Sequence, residues 1–594
     1  MKNLKSSVIV EEKNLPEWDL SDLYKNQKDL KVKLDIEKLD KLTNEFKDKY
    51  HGRICGCKAE FLFSAIKDYE DISKISGRLM SFAYLNYAKN LSDVNNVAFY
   101  QDISERVNQS MTNLVFFDIE INKIEEDNFQ KILQDSKLNF YKPFLRDVRA
   151  FKKHNLSEDL EKLFIEKSST AKNSWVRLFD ETMADLKFLY NNKFLSCSEI
   201  FDLLSNSDEE VRKNASESIG NTLKENSKIF AYITNVLAKD KSIGDKWRVF
   251  DKPISSRNLS NFIEDDVVDN LVETVKENYP KISHRYYKIK AKMLGKVELQ
   301  QYDRNAPLQN IEEVTPWDDA VEMVLNSYND FSPKLHDIGK RFFDNNWIDA
   351  KVTQGKDSGA FAHPTIPEVH PYLMLNYQGK VRDIMTLAHE LGHGIHQVLA
   401  CKQGELMCGT PLTLAETASV FGEQLTFQSI LNQSKNNQEK KIIIANKVED
   451  MINTAVRQVA FLEFEKKVHD ARKNGEIPLE KICQFWMEVQ KESLGDVFNF
   501  DENYKYYWSY IPHFIHSPFY VYSYAFGDCL VNSLYATYKN GLIGFEEKYI
   551  KMLEAGGTLH HKDLLDPFGI NITEKQFWQR GLDIISSYID LLEE

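Results

Sequence analysis

The segment richest in chemical information runs from Thr386 to Gln397 and reads TLAHELGHGIHQ. It holds His389, Glu390 and His393 in the HExxH spacing. On a helix, residues four apart project from one face about a turn apart, so both imidazoles could bind one Zn²⁺. Glu390 is not needed as a ligand and could act as general base toward a metal-activated water. The spacing therefore predicts a zinc site that hydrolyses amide bonds.

The residues around this motif predict the helix that it needs. Either histidine alone could be a hydrogen-bonded core residue, but the pair with a glutamate between them favours a metal. Apolar side chains recur at helical spacing from about Asp383 to Ala400, and the whole segment is predicted to be a buried helix. These apolar residues are Val381, Ile384, Met385, Leu387, Ala388, Leu391, Ile395, Val398 and Leu399.

A catalytic zinc needs a third protein ligand and one open position. Because residue 399 is Leu, the third histidine of a metzincin is absent. The next helical segment, Thr413–Phe427, carries Glu416 and Glu423 seven residues apart on one face. We predict that Glu416 is the third ligand and that Glu423 bonds to a ligand; a solvated helix face is the alternative. His396 is predicted to line the pocket, because a fourth protein ligand would close the site.

The late segment SPFYVYSY, residues 517–524, has the pattern of a helix start. Ser517 resembles an N-cap, and Pro518 suits the first helical position. A helix that begins there places Tyr520 and Tyr524 on one face and Tyr522 on another. For Tyr522, packing in the core is the alternative to a functional role.

Hydrolysis of a peptide requires hydrogen-bond donors near the developing oxyanion. His513 and His516 are predicted to lie in the loop that enters this helix, where a phenol and an imidazole would suit the donor role. Our first choice is His513 with Tyr520. His516 and Tyr524 stay open as alternatives for the same two roles.

Three blocks of the chain, in this order, resemble the oligoendopeptidase F branch of the thimet oligopeptidase family of zinc metallopeptidases. They are HELGHGIH at 389–396, AETASVFGE at 415–423 and IPHFIHSPFYVYSYAFG at 511–527. The resemblance also reaches GAFAHP at 359–364, PYLMLNYQG at 371–379 and, more faintly, PEWDLSDLY at 16–24, and it therefore covers nearly the whole chain.

This resemblance implies a residue-by-residue assignment and a fold. His389, His393 and Glu416 would hold one Zn²⁺ per chain, and Glu390 would be the general base. A histidine and tyrosines of the late block would stabilise the tetrahedral intermediate. The implied fold is mostly α: a two-lobed helical ellipsoid whose deep substrate channel admits short unfolded oligopeptides and excludes folded proteins.

The segment before the predicted zinc helix, Tyr372–Tyr377, is predicted to be a short strand. It is aromatic and apolar, is bounded by Pro371 and Gly379, and predicts a small β-sheet beside the zinc helix. An edge strand here could bind the substrate backbone by strand addition, and a buried strand is the alternative. The predicted substrate-binding residues are Tyr372, Leu373, Met374, Leu375, Asn376 and Tyr377.

Composition agrees with a helical enzyme. Only 15 Pro and 24 Gly occur in 594 residues, so loops and strands should be few. We predict an N-terminal helical region over 1–110, an oligoendopeptidase F-type helical domain over 111–200 and the catalytic domain over 201–594. The net charge of −14 argues against nucleic acid as a partner. Seven cysteines without a disulfide framework, and no apparent signal sequence or membrane span, favour the cytoplasm.

Three functions are consistent with these features. The first is a zinc endopeptidase that hydrolyses internal bonds of short unfolded oligopeptides. The second is an exopeptidase of the carboxypeptidase or dipeptidase type on the same site. The third is a non-catalytic peptide-binding protein stabilised by zinc, which the motif disfavours because a structural zinc has no use for Glu390.

Overall fold

A computed structural model describes residues 15–308 and 314–594. Helices dominate it, as the sparse glycine and proline predict, and none of the described helices combines the length and apolarity needed to cross a bilayer. The described helices are α1 (Leu30–Tyr50), α2 (Ala59–Lys89), α3 (Val94–Met111), α4 (Phe116–Lys123), α5 (Glu126–Ile132), α6 (Lys142–Ala150), α7 (Glu158–Ser168), α8 (Lys172–Asp185), α9 (Cys197–Asp202), α10 (Glu209–Trp247), α11 (Ser255–Ser260), α12 (Asp265–Glu277), α13 (Ser283–Met293), α14 (Trp317–Phe331), α15 (Pro333–Asp344), α16 (Val381–Ala400), α17 (Leu412–Asn432), α18 (Asn437–Thr454), α19 (Val456–Arg472), α20 (Leu479–Leu494), α21 (His513–His516), α22 (Tyr522–Lys539), α23 (Phe545–Glu554), α24 (His561–Leu565) and α25 (Lys575–Glu593).

Strands are short in the part of the chain that the structure describes. They are β1 (Phe188–Tyr190), β2 (Lys193–Leu195), β3 (Leu299–Gln300), β4 (Ile348–Asp349), β5 (Phe361–His363), β6 (Tyr372–Met374) and β7 (Phe498–Asn499). Together they form two two-stranded sheets, β1-β2 and β3-β7, and one three-stranded sheet in the order β4-β6-β5.

The chain divides into two compact units, each assembled from separate stretches. Of the described residues, the first unit contains 15–158, 314–432 and 541–569, and the second contains 159–308, 433–540 and 570–594. Because the stretches alternate along the chain, neither unit is one continuous segment of the sequence. The predicted boundaries near residues 110 and 200 stay predictions.

The three-stranded sheet belongs to the first unit and packs beside α16. β6 pairs parallel with β4 and antiparallel with β5, with Leu373 opposite both Ile348 and Ala362. The prediction of a small sheet beside the helix of the HExxH motif is confirmed. Of the two alternatives for Tyr372–Tyr377, the structure shows the buried strand, because β6 is short, buried and paired on both sides, and the substrate-binding role of these residues stays a prediction.

Helices α16 and α17 lie against each other in the first unit at positions where glycine is required. A Cβ on Gly392 would come within 2.5 Å of the Ala418 carbonyl oxygen. A Cβ on Gly422 would overlap the Tyr328 hydroxyl, which donates a 2.9 Å hydrogen bond to the Ala388 carbonyl. Small residues at such positions let two helix backbones approach closely. This close approach brings the side chains of the two helices together.

The second unit is built around the long helix α10, which packs on α8, α19, α20 and the 3₁₀ segment Glu502–Tyr510. Helices α12, α18 and α22 pack against the C-terminal helix α25. Bulky aromatic side chains fill this core, among them the fully buried Trp486 and Trp578. The late block of the sequence, 511–527, belongs to this unit.

Candidate functional site

Helix α16 carries the three residues of the HExxH motif. Its first turn is fixed by Asp383, whose Oδ2 accepts hydrogen bonds from the backbone N–H groups of Gln378 and Lys380. One turn apart, the rings of His389 and His393 lie with centroids 4.8 Å apart and planes nearly perpendicular. The predicted helix and the predicted facing of the two imidazoles are therefore both present.

Helix α17 brings a carboxylate to the two imidazoles. Oε2 of Glu416 lies 3.4 Å from Nε2 of His389 and 3.4 Å from Nε2 of His393. The ligand atoms of the three residues all lie within 4.8 Å of one another. This is the set predicted to bind the metal, brought together from two helices.

The donor set fits Zn²⁺. Tetrahedral zinc with His nitrogens and carboxylate oxygens at about 2.0–2.2 Å requires ligand atoms about 3.3–3.5 Å apart. Both distances from Oε2 of Glu416 meet that requirement. Two histidines and one glutamate also leave a fourth position for water or substrate, as a catalytic site needs.

Two further side chains hold His389 and Glu416 in place. Nδ1–H of His389 donates a 2.6 Å hydrogen bond to Glu423, which leaves Nε2 directed toward Glu416. The hydroxyl of Ser419 donates a 2.7 Å hydrogen bond to Oε2 of Glu416. Glu423 was predicted in this role. Ser419 was not, although its position three residues after Glu416 on a helix was a signal for it.

The pKa values of the two carboxyl groups Glu416 and Glu390 are shifted in opposite directions. Burial opposes ionisation of Glu416, but the adjacent His393 and His389 outweigh burial and lower its pKa to about 2. Burial raises the pKa of Glu390, against the opposing effect of His389 and His393. Glu416 is thus ionised near neutral pH, whereas the raised pKa of Glu390 favours its protonated form more than in an ordinary glutamate.

His396 lies on the same helix but outside the three-residue ligand group. Its Nε2 lies 3.3 Å from the hydroxyl of Thr410, and burial lowers its pKa to about 4. It is therefore a neutral, hydrogen-bonded side chain. Its predicted role in lining the pocket stays a prediction.

The late block differs in detail from its predicted form. The long helix begins at Tyr522, not at Ser517–Pro518, and His513 and His516 lie on the short helix α21 instead of in a loop. The hydroxyl of Tyr522 accepts a 2.8 Å hydrogen bond from Asn261, and Tyr522 is fully buried, so it is a core residue.

His513, Tyr520 and Tyr524 form one cluster. Nε2 of His513 lies 3.3 Å from the Tyr524 hydroxyl, and the Tyr520 ring lies 6.0 Å from His513 and 5.2 Å from Tyr524, centroid to centroid. His516 points elsewhere, with its Nε2 2.7 Å from a carboxylate oxygen of Asp180. The structure thus separates the two histidines that the sequence left as alternatives.

The turn that carries Tyr520 is held from behind. Phe519 has a left-handed backbone with φ of 60° and is completely buried. Its N–H donates a 2.8 Å hydrogen bond to the buried carboxyl of Glu465, and Arg257 donates a 3.3 Å hydrogen bond to the Pro518 carbonyl. Sequence reasoning missed Glu465 and Arg257, because they are 54 and 261 residues distant from their partners along the chain.

Comparison with known proteins decides the family. The model for peptidase family M3 matches residues 202–584, and the model for the oligopeptidase F N-terminal region matches residues 120–188. The chain belongs to peptidase family M3. Membership makes this M3 chain a metallopeptidase that acts on peptides, and it confirms the resemblance read from the three sequence blocks.

Two relatives support the assignment, and two solved structures share the fold. An oligoendopeptidase F homolog of Borreliella burgdorferi is 29% identical over 97% of this M3 chain and 98% of its own length. Oligopeptidase PepF of Bacillus subtilis is 26% identical over 92% and 82% of the two chains. A crystal structure from Chlamydophila abortus covers 98% of the chain and is itself 99% covered, at 23% identity and a TM-score of 0.83. Oligoendopeptidase-F from Enterococcus faecium has a TM-score of 0.72 at 20% identity, with 94% and 98% covered. Both structures share the mostly helical fold.

Proposed function

We propose that this M3 peptidase is a zinc-dependent endopeptidase that hydrolyses internal bonds of short, unfolded oligopeptides. The observation that carries the proposal is the distance of 3.4 Å from Glu416 to each imidazole of the HExxH helix. Relatives named oligoendopeptidase F and oligopeptidase support the endopeptidase mode and the short substrates. The acidic composition and the cysteines without a disulfide framework support a cytoplasmic location.

In the proposed mechanism, His389, His393 and Glu416 hold Zn²⁺, and Glu390 moves the proton. Bound zinc would polarise the scissile carbonyl and lower the pKa of the attacking water. The carboxylate of Glu390 accepts a proton from that water and then donates it to the leaving amine. A raised pKa suits this double role, because the protonated form must be accessible near neutral pH.

We assign the donors to the developing oxyanion to His513 and Tyr520, with Tyr524 orienting the imidazole. The clustering of these three side chains supports the assignment. The pairing of His516 with Asp180 argues against His516 as a donor. Burial lowers the pKa of His513, so its imidazole is neutral at pH 7 and keeps one N–H to donate.

We assign backbone recognition to β5 in place of β6. Among the described residues β5 pairs only with β6 within its sheet, and so it is an edge strand. The Ala362 carbonyl accepts a 3.2 Å hydrogen bond from Gln397, which links β5 to the HExxH helix. An extended peptide added to this edge would be recognised through its main chain, and cleavage would then depend little on side-chain identity.

The test is cleavage of peptides blocked at both ends, with a folded protein as a second substrate, followed by mass spectrometry. We expect internal cuts that a chelator abolishes and added Zn²⁺ restores, and an intact folded protein. Glu390→Gln should lower kcat by about 10²–10⁴-fold while retaining zinc. Glu554→Gln, which removes a carboxylate paired with Lys334 and Lys402 in the same unit, is the matched control and should cleave normally.

Other outcomes would select the alternatives. Cleavage only of peptides with a free terminus would indicate an exopeptidase. Stoichiometric zinc without any cleavage would indicate a peptide-binding protein.

A further inference from the structure

A small cavity in the second unit is lined by three side chains that each carry an N–H group without an acceptor among the described residues. It has a volume of about 40 Å³ and is lined by Arg304, Arg457 and Trp486 together with the aromatic rings of the 3₁₀ segment Glu502–Tyr510. Nε of Arg304, Nε of Arg457 and Nε1 of Trp486 are all buried and have no hydrogen-bond partner among the residues the structure describes. A buried donor without an acceptor costs about 1–3 kcal/mol, and three beside one cavity indicate that an acceptor belongs there.

The charge around the cavity is also unbalanced. Arg304 donates to the side-chain oxygen of Asn453, and Arg457 donates to the hydroxyl of Tyr510, both at 3.1 Å and both to neutral groups. Within 15–308 and 314–594 no carboxylate lines the cavity. The acid beside the nearby Lys290, Glu449, is bound to that lysine through both oxygens at 2.8 Å. Among the described residues, neither guanidinium group has a carboxylate counterion, and holding such a charge in the protein is costly.

The size and the donors define what could occupy the cavity. About 40 Å³ exceeds the 10–15 Å³ or so that one water needs, and it is far smaller than a site for an organic ligand, which is about 300 Å³ or more. Because Tyr510 accepts from Arg457, its own hydrogen is available to the occupant. The occupant must therefore be small, negatively charged and able to accept several hydrogen bonds.

We propose that the cavity between Arg304 and Arg457 binds one small inorganic anion of about the size of chloride. Both guanidinium groups, the Trp486 indole and the Tyr510 hydroxyl supply its hydrogen bonds. The proposal stands on these contacts alone and does not depend on the peptidase mechanism.

The site is electrostatically connected to one of the residues in that mechanism. The positive charge of Arg457 helps to lower the pKa of His513, after the larger effect of burial. An anion beside Arg457 reduces this effect, because it cancels part of the charge that the imidazole experiences.

The test uses the zinc-loaded protein and thermal unfolding with chloride or bromide at constant ionic strength, with sodium gluconate as the balancing salt. We expect the Tm to rise with halide concentration and to saturate, as for one binding site on the folded state. Arg457→Gln should abolish this rise. Arg285→Gln, which removes an arginine of the same unit that pairs with Asp590 and Glu593 at the surface, should keep it.

Crystals of the unaltered protein soaked in bromide make the test independent of any variant. An anomalous peak between Arg304 and Arg457 is the expected result. The proposal is overturned if bromide appears only on the surface while water fills the cavity. A halide effect on Tm that does not saturate, or that Arg457→Gln retains in full, would also overturn it.

Discussion

The predicted metal-binding set of the first unit and the His513 cluster of the second are held in opposite ways. His389, His393 and Glu416 project from two long helices whose backbones meet at glycines. His513 and Tyr520 lie on a four-residue helix and on the turn after it. The first set is positioned by regular secondary structure, and the second by side chains that hold an irregular backbone.

The irregular turn at Phe519 depends on groups that are distant in sequence, because hydrogen bonds from those groups hold its backbone. A non-glycine residue in the left-handed region, such as Phe519, costs free energy that the surrounding structure must supply. Glu465 and Arg257 supply it through hydrogen bonds to the backbone of the turn. Donors on a turn therefore require buried polar groups that hold the backbone, whereas on packed helices the backbone is already positioned and Glu423 and Ser419 orient only the side chains.

The first of three predictions compares the two histidines of the late block and has the largest expected effect among them. His513→Ala should lower kcat by about 10²–10³-fold, as the loss of an oxyanion donor does in other hydrolases. His516→Ala removes only a partly exposed pair with Asp180 and should change kcat less than about threefold. The measurement is kcat and KM on one blocked peptide, and His516→Ala is the matched control. Equal losses from both variants would mean that the cluster with Tyr520 and Tyr524 is not the functional unit.

The positions of His389, His393 and Glu416 could be predicted from the sequence because each spacing that indicates them lies within one helix. The HExxH spacing and the seven-residue spacing of Glu416 and Glu423 each lie within one helix, and all of these residues lie where the pattern indicated. What the sequence could not predict is that Tyr328 lies at the contact of the two helices, since its contact with Ala388 spans 60 residues.

Two local features differ from what the sequence favoured, and the differences have the same origin. Tyr372–Met374 looked like an edge strand because the sequence does not show that Ile348–Asp349 pairs on its other side. Ser517–Pro518 looked like a helix start because capping signals are local, but the contact of Glu465 with Phe519 sets a different backbone there. In both cases a partner distant in sequence overrides a local preference.

The second prediction tests the close contact of α16 and α17. Gly422→Ala places a methyl group where the Tyr328 hydroxyl lies, and it should cost about 1–3 kcal/mol of unfolding free energy and weaken zinc binding. Gly409→Ala in the same unit is the matched control, because a Cβ there meets nothing within 4 Å, and it should change stability by less than about 0.5 kcal/mol. Urea unfolding and zinc titration give both quantities. An unchanged zinc affinity in Gly422→Ala would show that the ligands do not depend on this contact.

The last prediction concerns the buried support of the turn and its protonation. Burial raises the pKa of Glu465 to about 8, although the backbone N–H of Phe519 and the cations Arg257 and Lys241 oppose the shift, and His469 nearby is neutral because burial lowers its pKa to about 3. In the unfolded chain a glutamate titrates near pH 4.3, so between about pH 4.3 and 8 the folded protein keeps a proton that the unfolded chain has lost. From this group alone, the free energy of unfolding therefore falls by about 1.4 kcal/mol for each unit of rising pH.

Glu465→Gln keeps an oxygen that can accept from Phe519 but has no proton to lose. We expect this variant to gain about 1.4 kcal/mol relative to the unaltered protein between pH 5.5 and 6.5. Urea unfolding at the two pH values measures the difference, in which the titration of all other groups cancels. Glu463→Gln, on the same helix but paired with Lys276 and Lys466, is the matched control and should show no such gain. If Glu465→Gln tracks the unaltered protein at both pH values, Glu465 is ionised in the fold, and the turn is then held by a charge paired with Arg257 and Lys241 instead of a neutral carboxyl group.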